Sequence, residues 1–526
     1  MIMSFVNKIQ DRYIELFLKI CIVYGVVLHI VPYFYNRSLW LDEATFVSSI
    51  CTRSLSELVA SPLDWGQSAP VGYLFIVKLI TMVWNTSEAA LRIFSLFSAF
   101  VCMYLIYALL KDKVAPKFAL WTVTIFSVTN GFIYYGNEAK PYMSDNMFCL
   151  LVLYVWQKYR ENKIELYKMC LIYAVVIWFS FSAVFFMGAC MLIECVRQIR
   201  THENVKKLLI NGILCSIVLA SLLVYYVFWL SSTSSNAGDA GYWALLRFPL
   251  IPTSIADIKL IVLMFREIWN FFPKSIAVLF MGMNLFYLIE CVKYRVDRSK
   301  IFIPCVTAFL LLLIASSIGF YPIQDRLVQI IPIVALIIVS LFFDDVGKSG
   351  FAKRKGVLFV LHFLFWAILV YGCAYGSKSL SGSFVYKSGS EVAASFAYLN
   401  TNLTDDDIIY VYRNAIPIYC YKTNYPVPFN SLRHPDQSFL FDKTIYGQNL
   451  RNKKNQIAYN NESEINEDAV RQDADIILKY DSVYLFTSHR ALGILNVIDI
   501  LRQYGTVETV VDSYETRLYH FTRNKS

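Results

Sequence analysis

The chain has 526 residues, 57% of them hydrophobic and only 17% charged, with a mean hydropathy of +0.48 and a formal charge of +9. Soluble domains run at roughly 45–50% apolar and about 25% charged, so composition excludes an ordinary soluble domain. The basic excess sits in short loops between apolar blocks, as in a membrane protein, and the 36 Tyr and 39 Phe suit interfacial belts and helix packing rather than base stacking; nucleic acid is excluded as a partner.

Taken in order, the apolar blocks predict helices over 14–34, 88–110, 117–134, 141–157, 169–181, 183–196, 208–230, 274–292, 301–319, 327–343 and 356–375, about eleven in all. No small-residue cleavage site comes after the first block, which reads as a retained helix. The pair at 169–181 and 183–196 is short and reads either as a hairpin or as one bent helix. With a hairpin there, five basic loops fall on one side: Lys111–Lys117, Lys158–Lys168, Arg197–Lys207, Lys293–Lys300 and Lys348–Lys355. They join Lys8 and Arg12, and by the positive-inside rule that side is the cytoplasm. The opposite loops, 35–87, 135–140, 231–273 and 320–326, are sparse in Lys and Arg. Residues 70–84 fall short of the roughly 17–25 needed to cross, and they read as an interfacial or re-entrant helix on the outer face.

After residue 376 the chain turns polar. Ile408–Tyr412 and Ser482–Thr487 read as buried strands, and Glu391–Asn400 and Leu492–Tyr504 as helices. The expected architecture is a polytopic α-helical membrane protein over 1–375 with a C-terminal α/β extracytoplasmic domain over 376–526. The 12 Cys are scattered without a CxxC pair, which implies neither a disulfide framework nor a zinc site.

Three stretches carry candidate chemistry. The first outer loop opens with Ser38-Leu39-Trp40-Leu41-Asp42-Glu43-Ala44, two adjacent carboxylates at a membrane face. Acidic groups there are costly and usually functional, and one of them can serve as a general base; Asp also reads as an N-cap for a helix starting at that point. The second outer loop, Tyr134-Tyr135-Gly136-Asn137-Glu138-Ala139-Lys140-Pro141-Tyr142, sets Glu138 and Lys140 at a helix mouth, with Asp145 one turn on. Glu138 suits an acceptor or a metal and Lys140 a phosphate, and both also read as interfacial anchors. Arg92 and Arg326 lie at the outer starts of two helices, where an arginine either grips phosphate or snorkels. The six His show no ligand spacing, and no P-loop or GxGxxG points to a nucleotide. Under the topology drawn from charge, Asp42, Arg92, Glu138 and Arg326 share one membrane face.

At these residues the sequence resembles bacterial membrane glycosyltransferases of family 39. The resemblance rests on Trp40–Ala44, Pro62–Pro70, Ser87–Arg92 and Tyr134–Tyr142, and more loosely on Tyr321–Arg326 and, in the polar region, Glu391–Tyr412 and Ser482–Tyr519. It implies the C-type glycosyltransferase fold, shared with protein O-mannosyltransferases and lipid A aminoarabinose transferases, in a multi-pass protein of the bacterial inner membrane. The N-terminus would be cytoplasmic and the C-terminal domain periplasmic or extracellular. It implies a polyprenyl-phosphate sugar donor entering from membrane lipid, and a protein, lipid or glycan acceptor. Asp42, with Glu43 beside it, and Glu138 would be the catalytic carboxylates, and Arg92, Lys140 and Arg326 the groups that hold the donor phosphate. Transfer would invert the anomeric carbon. Where relatives carry His or Lys before a Pro-Pro pair, this chain has Ser68-Ala69-Pro70, so no phosphate or metal contact is assigned there. No cofactor is assigned, and a divalent metal stays open. Two further readings stay open at this stage: an oligosaccharide ligase or polymerase using a polyprenyl diphosphate, and a lipid or sugar transporter.

Overall fold

A computed structural model of the chain describes residues 2–61, 63, 67–201, 205–230, 247–294, 301–348, 355–381, 391–404, 406–423, 444–446, 467–489 and 493–524. Parts of the sequence motifs and basic loops, including Pro62, Asp64–Gly66, Arg295–Lys300 and Lys353–Arg354, lie outside the described residues.

The apolar blocks fold as helices whose ends obey local chemistry. Helix α1 (Ile2–Phe34) stops just after Pro32, and Asn36 turns the chain with φ of 45°, the left-handed conformation that Asn tolerates at a helix end. Three short helices fill the first loop: α2 (Leu41–Thr52), α3 (Leu55–Ala60) and α4 (Val71–Val83). At about 1.5 Å per residue, the 13 residues of α4 span about 20 Å, short of a hydrocarbon core of about 30 Å. Helix α5 (Glu88–Leu110) starts on Ser87, whose Oγ accepts from the Ala90 N–H. The block expected as one helix over 117–134 is two, α6 (Pro116–Val128) and α7 (Asn130–Gly136). Thr129 makes the break, its Oγ1 bonding back to the Ile125 carbonyl at 2.6 Å.

Helix α8 (Tyr142–Arg160) comes after the second loop. Residues 169–196 form two helices, α9 (Leu166–Val176) and α10 (Ala183–Arg200), rather than one. Helix α11 (Val205–Tyr225) runs into a π-turn over Tyr226–Leu230. Helices α12 (Ile255–Ile268), α13 (Lys274–Tyr294), α14 (Phe302–Ser317), α15 (Ile330–Lys348) and α16 (Lys355–Gly376) complete the bundle. The apolar pattern predicts no helix at α12, which lies in the stretch expected to be loop. Among the described residues, four helical stretches are long and apolar enough to cross a membrane: Gln10–Phe34, Glu88–Leu110, Leu209–Phe228 and Phe359–Leu380.

Helix α5 is largely enclosed by its neighbours, whereas α11 and α16 turn Leu219, Leu223, Phe363 and Val370 outward, as a lipid-facing helix does. Helix α1 packs on α6 at Gly25, where a Cβ would lie 2.0 Å from Ser127 Oγ; only glycine permits that approach.

The helical part runs past the expected boundary at 376. A 3-10 turn at Ser377–Leu380 folds back so that Tyr35 Oη reaches the Leu380 carbonyl at 3.1 Å. Beyond it lie α17 (Ala393–Asn402), α18 (Ile416–Lys422), α19 (Glu467–Ile477) and α20 (Ile494–Leu501) with strands β1 (Ile408–Val411), β2 (Thr444–Tyr446), β3 (Ser482–Ser488), β4 (Gly505–Ser513) and β5 (Thr516–Arg523). The sheet order is β2-β1-β3-β5-β4, with β1 parallel to β2 and β3, and β5 antiparallel to β3 and β4. Alternation along the strands makes two faces. Tyr410, Val483, Leu485 and Phe521 pack with Val470, Ala474, Val497 and Leu501 of α19 and α20. Ile409, Val411, Phe486 and Leu518 join the same core as Phe46 and Ile50 of α2. Helix α18, next to the sheet, packs against α2 of the first loop.

Candidate functional site

Successive residues of an α-helix point about 100° apart, so the adjacent carboxylates of α2 face different surroundings. Glu43 turns inward and is fully buried. Arg92 holds it bidentately, Nε to Oε1 at 2.9 Å and Nη2 to Oε2 at 2.8 Å, and Arg37 Nη1 adds a bond to Oε2 at 2.7 Å. The Ala139 N–H donates to Oε1 at 2.7 Å and the Trp40 N–H to Oε2 at 3.3 Å, the second bond being half of a capping box at the start of α2. Burial alone would raise this carboxyl; the charges of Arg37 and Arg92 outweigh it and hold Glu43 well below the usual range. One carboxylate thereby ties together the end of α1, the start of α5 and the 137–141 loop.

Asp42 turns the other way and keeps 18% of its side chain exposed. Its Oδ1 lies 3.0 Å from Lys140 Nζ and its Oδ2 3.0 Å from Arg326 Nη1, with Tyr142 Oη at 3.5 Å. Burial pushes the Asp42 carboxyl up, and Lys140 and then Arg326 more than offset it, leaving Asp42 ionised below its ordinary value. Lys140 Nζ also donates to Gln67 Oε1 at 2.7 Å and lies 4.8 Å from the centre of the Phe46 ring. Burial lowers the Lys140 ammonium more than Asp42 raises it. The Arg326 guanidinium sits 6.0 Å over the Tyr142 ring.

Glu138, 1% exposed, lies between these two groups. Its Oε1 accepts from Trp40 Nε1 at 2.8 Å, and its Oε2 has no hydrogen-bond partner among the described residues. Burial, then the negative charges of Glu43 and Asp42, push its carboxyl up to about 8, against Arg37 and Lys140. Asp145, one turn on, bonds Ser182 Oγ at 3.1 Å instead of joining this group.

The six residues expected from sequence thus converge, though in two compartments: Asp42, Lys140 and Arg326 around a partly open face, and Glu43 with Arg92 behind it, with Glu138 close to both carboxylates. Sequence reading gives no part to Arg37, Trp40, Gln67 or Tyr142. Gln67 and Tyr142 stand inside the motifs that carry the resemblance. Arg37 carries no signal beyond its place just past the last turn of α1. Among the described residues, no three His, Cys, Asp or Glu side chains are placed to hold a metal ion.

No family model matches the sequence, and no curated protein matches it. The solved structures give a different result. ArnT from Cupriavidus metallidurans aligns in its apo state over 95% of this chain and 97% of its own, at 11% identity and a TM-score of 0.52. ArnT bound to undecaprenyl phosphate aligns over the same shares at a TM-score of 0.54 and 11% identity. The chain shares the fold of ArnT. The likeness extends over nearly the whole of both chains, so it takes in the helices, the first loop and the C-terminal sheet together. An archaeal oligosaccharyltransferase from Archaeoglobus fulgidus aligns at a TM-score of 0.48 and 10% identity, over 89% of this chain and 69% of its own.

Proposed function

We propose that this protein is a membrane glycosyltransferase that takes a sugar from a polyprenyl-phosphate donor on the non-cytoplasmic face. The observation that carries the reading is Asp42 clasped between Lys140 and Arg326 at 3.0 Å each, in a chain with the fold of ArnT, which binds undecaprenyl phosphate. Two cations facing one ionised carboxylate make a site in which an incoming phosphate competes for the cations. As Lys140 and Arg326 turn to the phosphate, Asp42 loses the charges that depress it, and its basicity rises toward what a general base needs. Asp42 then takes the proton of an acceptor hydroxyl or amine as the acceptor oxygen or nitrogen bonds to the anomeric carbon. The bond from that carbon to the phosphate oxygen breaks, and polyprenyl phosphate leaves with its electron pair. Lys140 and Arg326 balance the charge that grows on it. Attack from the face opposite the leaving phosphate inverts the anomeric carbon.

In this reading Glu43 and Arg92 hold the loop rather than touch substrate, because both are spent on each other and fully enclosed. Glu138, protonated at neutral pH, donates a hydrogen bond rather than accepting a proton. The topology that suits this chemistry has about eleven crossings in a bacterial inner membrane, α4 on the outer face, the N-terminus in the cytoplasm, and the C-terminal sheet outside as a domain that helps choose the acceptor. The test is release of free polyprenyl phosphate by purified protein given a panel of polyprenyl-phosphate sugars and crude membrane acceptor. Release from one donor establishes donor class and sugar together; no release from any donor by folded protein overturns the reading.

A further inference from the structure

The residue after strand β3 reaches the charged site through Trp40. Strand β3 ends at Ser488, and His489 comes next with φ of 62°, a left-handed conformation that costs a non-glycine residue free energy and needs holding. It is held by Glu515, itself left-handed at φ of 51° in the β4–β5 turn. The His489 N–H donates to the Glu515 carbonyl at 2.7 Å, and His489 Nδ1 lies 3.6 Å from Glu515 Oε2. Asn414 Nδ2 bonds the His489 carbonyl at 3.4 Å. The imidazole that this turn presents packs on the Trp40 indole, ring centres 5.6 Å apart. That indole donates to Glu138, whose other oxygen is unpartnered among the described residues.

We infer that His489 is a positioning residue of the active centre: by packing on Trp40 it fixes the indole N–H on Glu138 and so orients the free carboxyl oxygen toward the reacting groups. The strained turn makes sense as a device to deliver one ring to one place. Trp40 is only half-buried, and the imidazole is one of the groups that pack on its indole. Should the indole turn once the imidazole is gone, Glu138 loses the one side-chain bond that sets its orientation. The inference rests on the proposed transfer reaction for its kinetic consequence and on geometry alone for the contact.

Both parts are testable in the full-length protein. Misorientation of a group at the reacting centre costs on the order of tenfold or more in rate. His489→Ala is expected to lower kcat about tenfold with the donor KM unchanged, and His489→Phe, which keeps a flat ring, to restore most of it. Trp40→Phe, which removes the N–H, is expected to show the same loss, and the double variant little further loss. In protein labelled with 5-fluorotryptophan, the fluorine resonance missing from Trp40→Phe reports position 40. It is expected to move in His489→Ala and in Glu138→Gln and to return in His489→Phe. Turnover of His489→Ala within twofold of wild type, or a position-40 resonance unmoved by His489→Ala, overturns the inference. If the wild type releases no polyprenyl phosphate, the transfer reading has failed and the fluorine resonance alone decides the contact.

Discussion

Asp42 and Glu43 are neighbours in sequence and opposites in environment: Asp42 meets two cations on a partly open face, while Glu43 is sealed behind it by Arg37 and Arg92. The pair divides the work of a site between a group that can exchange partners and a group that cannot.

On the proposed reading, replacing Asp42 with Asn is expected to remove activity by about a thousandfold or more, since it deletes the proposed base while keeping the shape. The protein should fold, extract and elute as wild type. Release of polyprenyl phosphate, measured beside a melting curve, checks both halves.

Glu43→Gln is expected to act through stability instead. It leaves Arg37 and Arg92 enclosed without their counter-charge, a loss of about 3–5 kcal/mol for a broken buried ion pair. A fall in melting temperature and in the yield of monodisperse protein should accompany any loss of activity, in contrast to Asp42→Asn.

Arg326→Ala removes a charge that depresses Asp42, so the Asp42 carboxyl titrates at higher pH. Activity that needs ionised Asp42 should then begin at a higher pH, and the acidic limb of the kcat/KM profile should move upward. If Arg326 holds the donor phosphate as proposed, the donor KM should also rise, by about tenfold, and Arg326→Lys should recover little of it because a single ammonium cannot make a bidentate contact.

Glu138 gives the opposite sign. Its carboxyl is raised to about 8, so the neutral form is favoured in the folded protein and that stabilisation disappears as pH rises through about 8. Relative to Glu138→Gln, which has nothing to ionise, the wild type should lose thermal stability as pH rises from the ordinary glutamate range to about 8, and lose no more above it. Melting temperatures of the two proteins between about pH 4 and 9.5 test this.

Lys422 at the end of α18 pairs with Glu88 at the start of α5, and next to it Tyr421 Oη bonds the Thr86 carbonyl at 2.7 Å. Lys422→Glu places like charges together and should loosen the sheet from the first loop, seen as faster proteolysis on the C-terminal side of α16 and reduced turnover. Combining it with Glu88→Lys should restore both.

The helices were legible because a bilayer demands long apolar runs. The break at Thr129 was hidden because the apolar run passes through it without interruption; the kink is made by one hydroxyl bonding back along the helix. Helix α12 was hidden by the polar stretches around it. The β4–β5 hairpin was hidden because Glu508, Asp512 and Arg517 sit on strands exposed on one side and blur the alternation. At the candidate site, the motifs named charged residues that the fold brings together. They did not say which carboxylate meets which cation. That depends on Lys140 and Arg326 arriving on one side of α2 and Arg37 and Arg92 on the other, which only the packing of α1, α5 and the 137–141 loop decides. His489 lies hundreds of residues from Trp40, and no local pattern ties them.

The shared core between α2 and the sheet also sets an order of events in the life of each molecule. The chain is made from its N-terminus, so Asp42 is in place long before Leu518 and the rest of β5 exist. The loop that carries Asp42 therefore meets its C-terminal neighbours, Tyr421 and His489, only once they too have been made. A copy made only as far as α16 thus lacks those neighbours of its first loop.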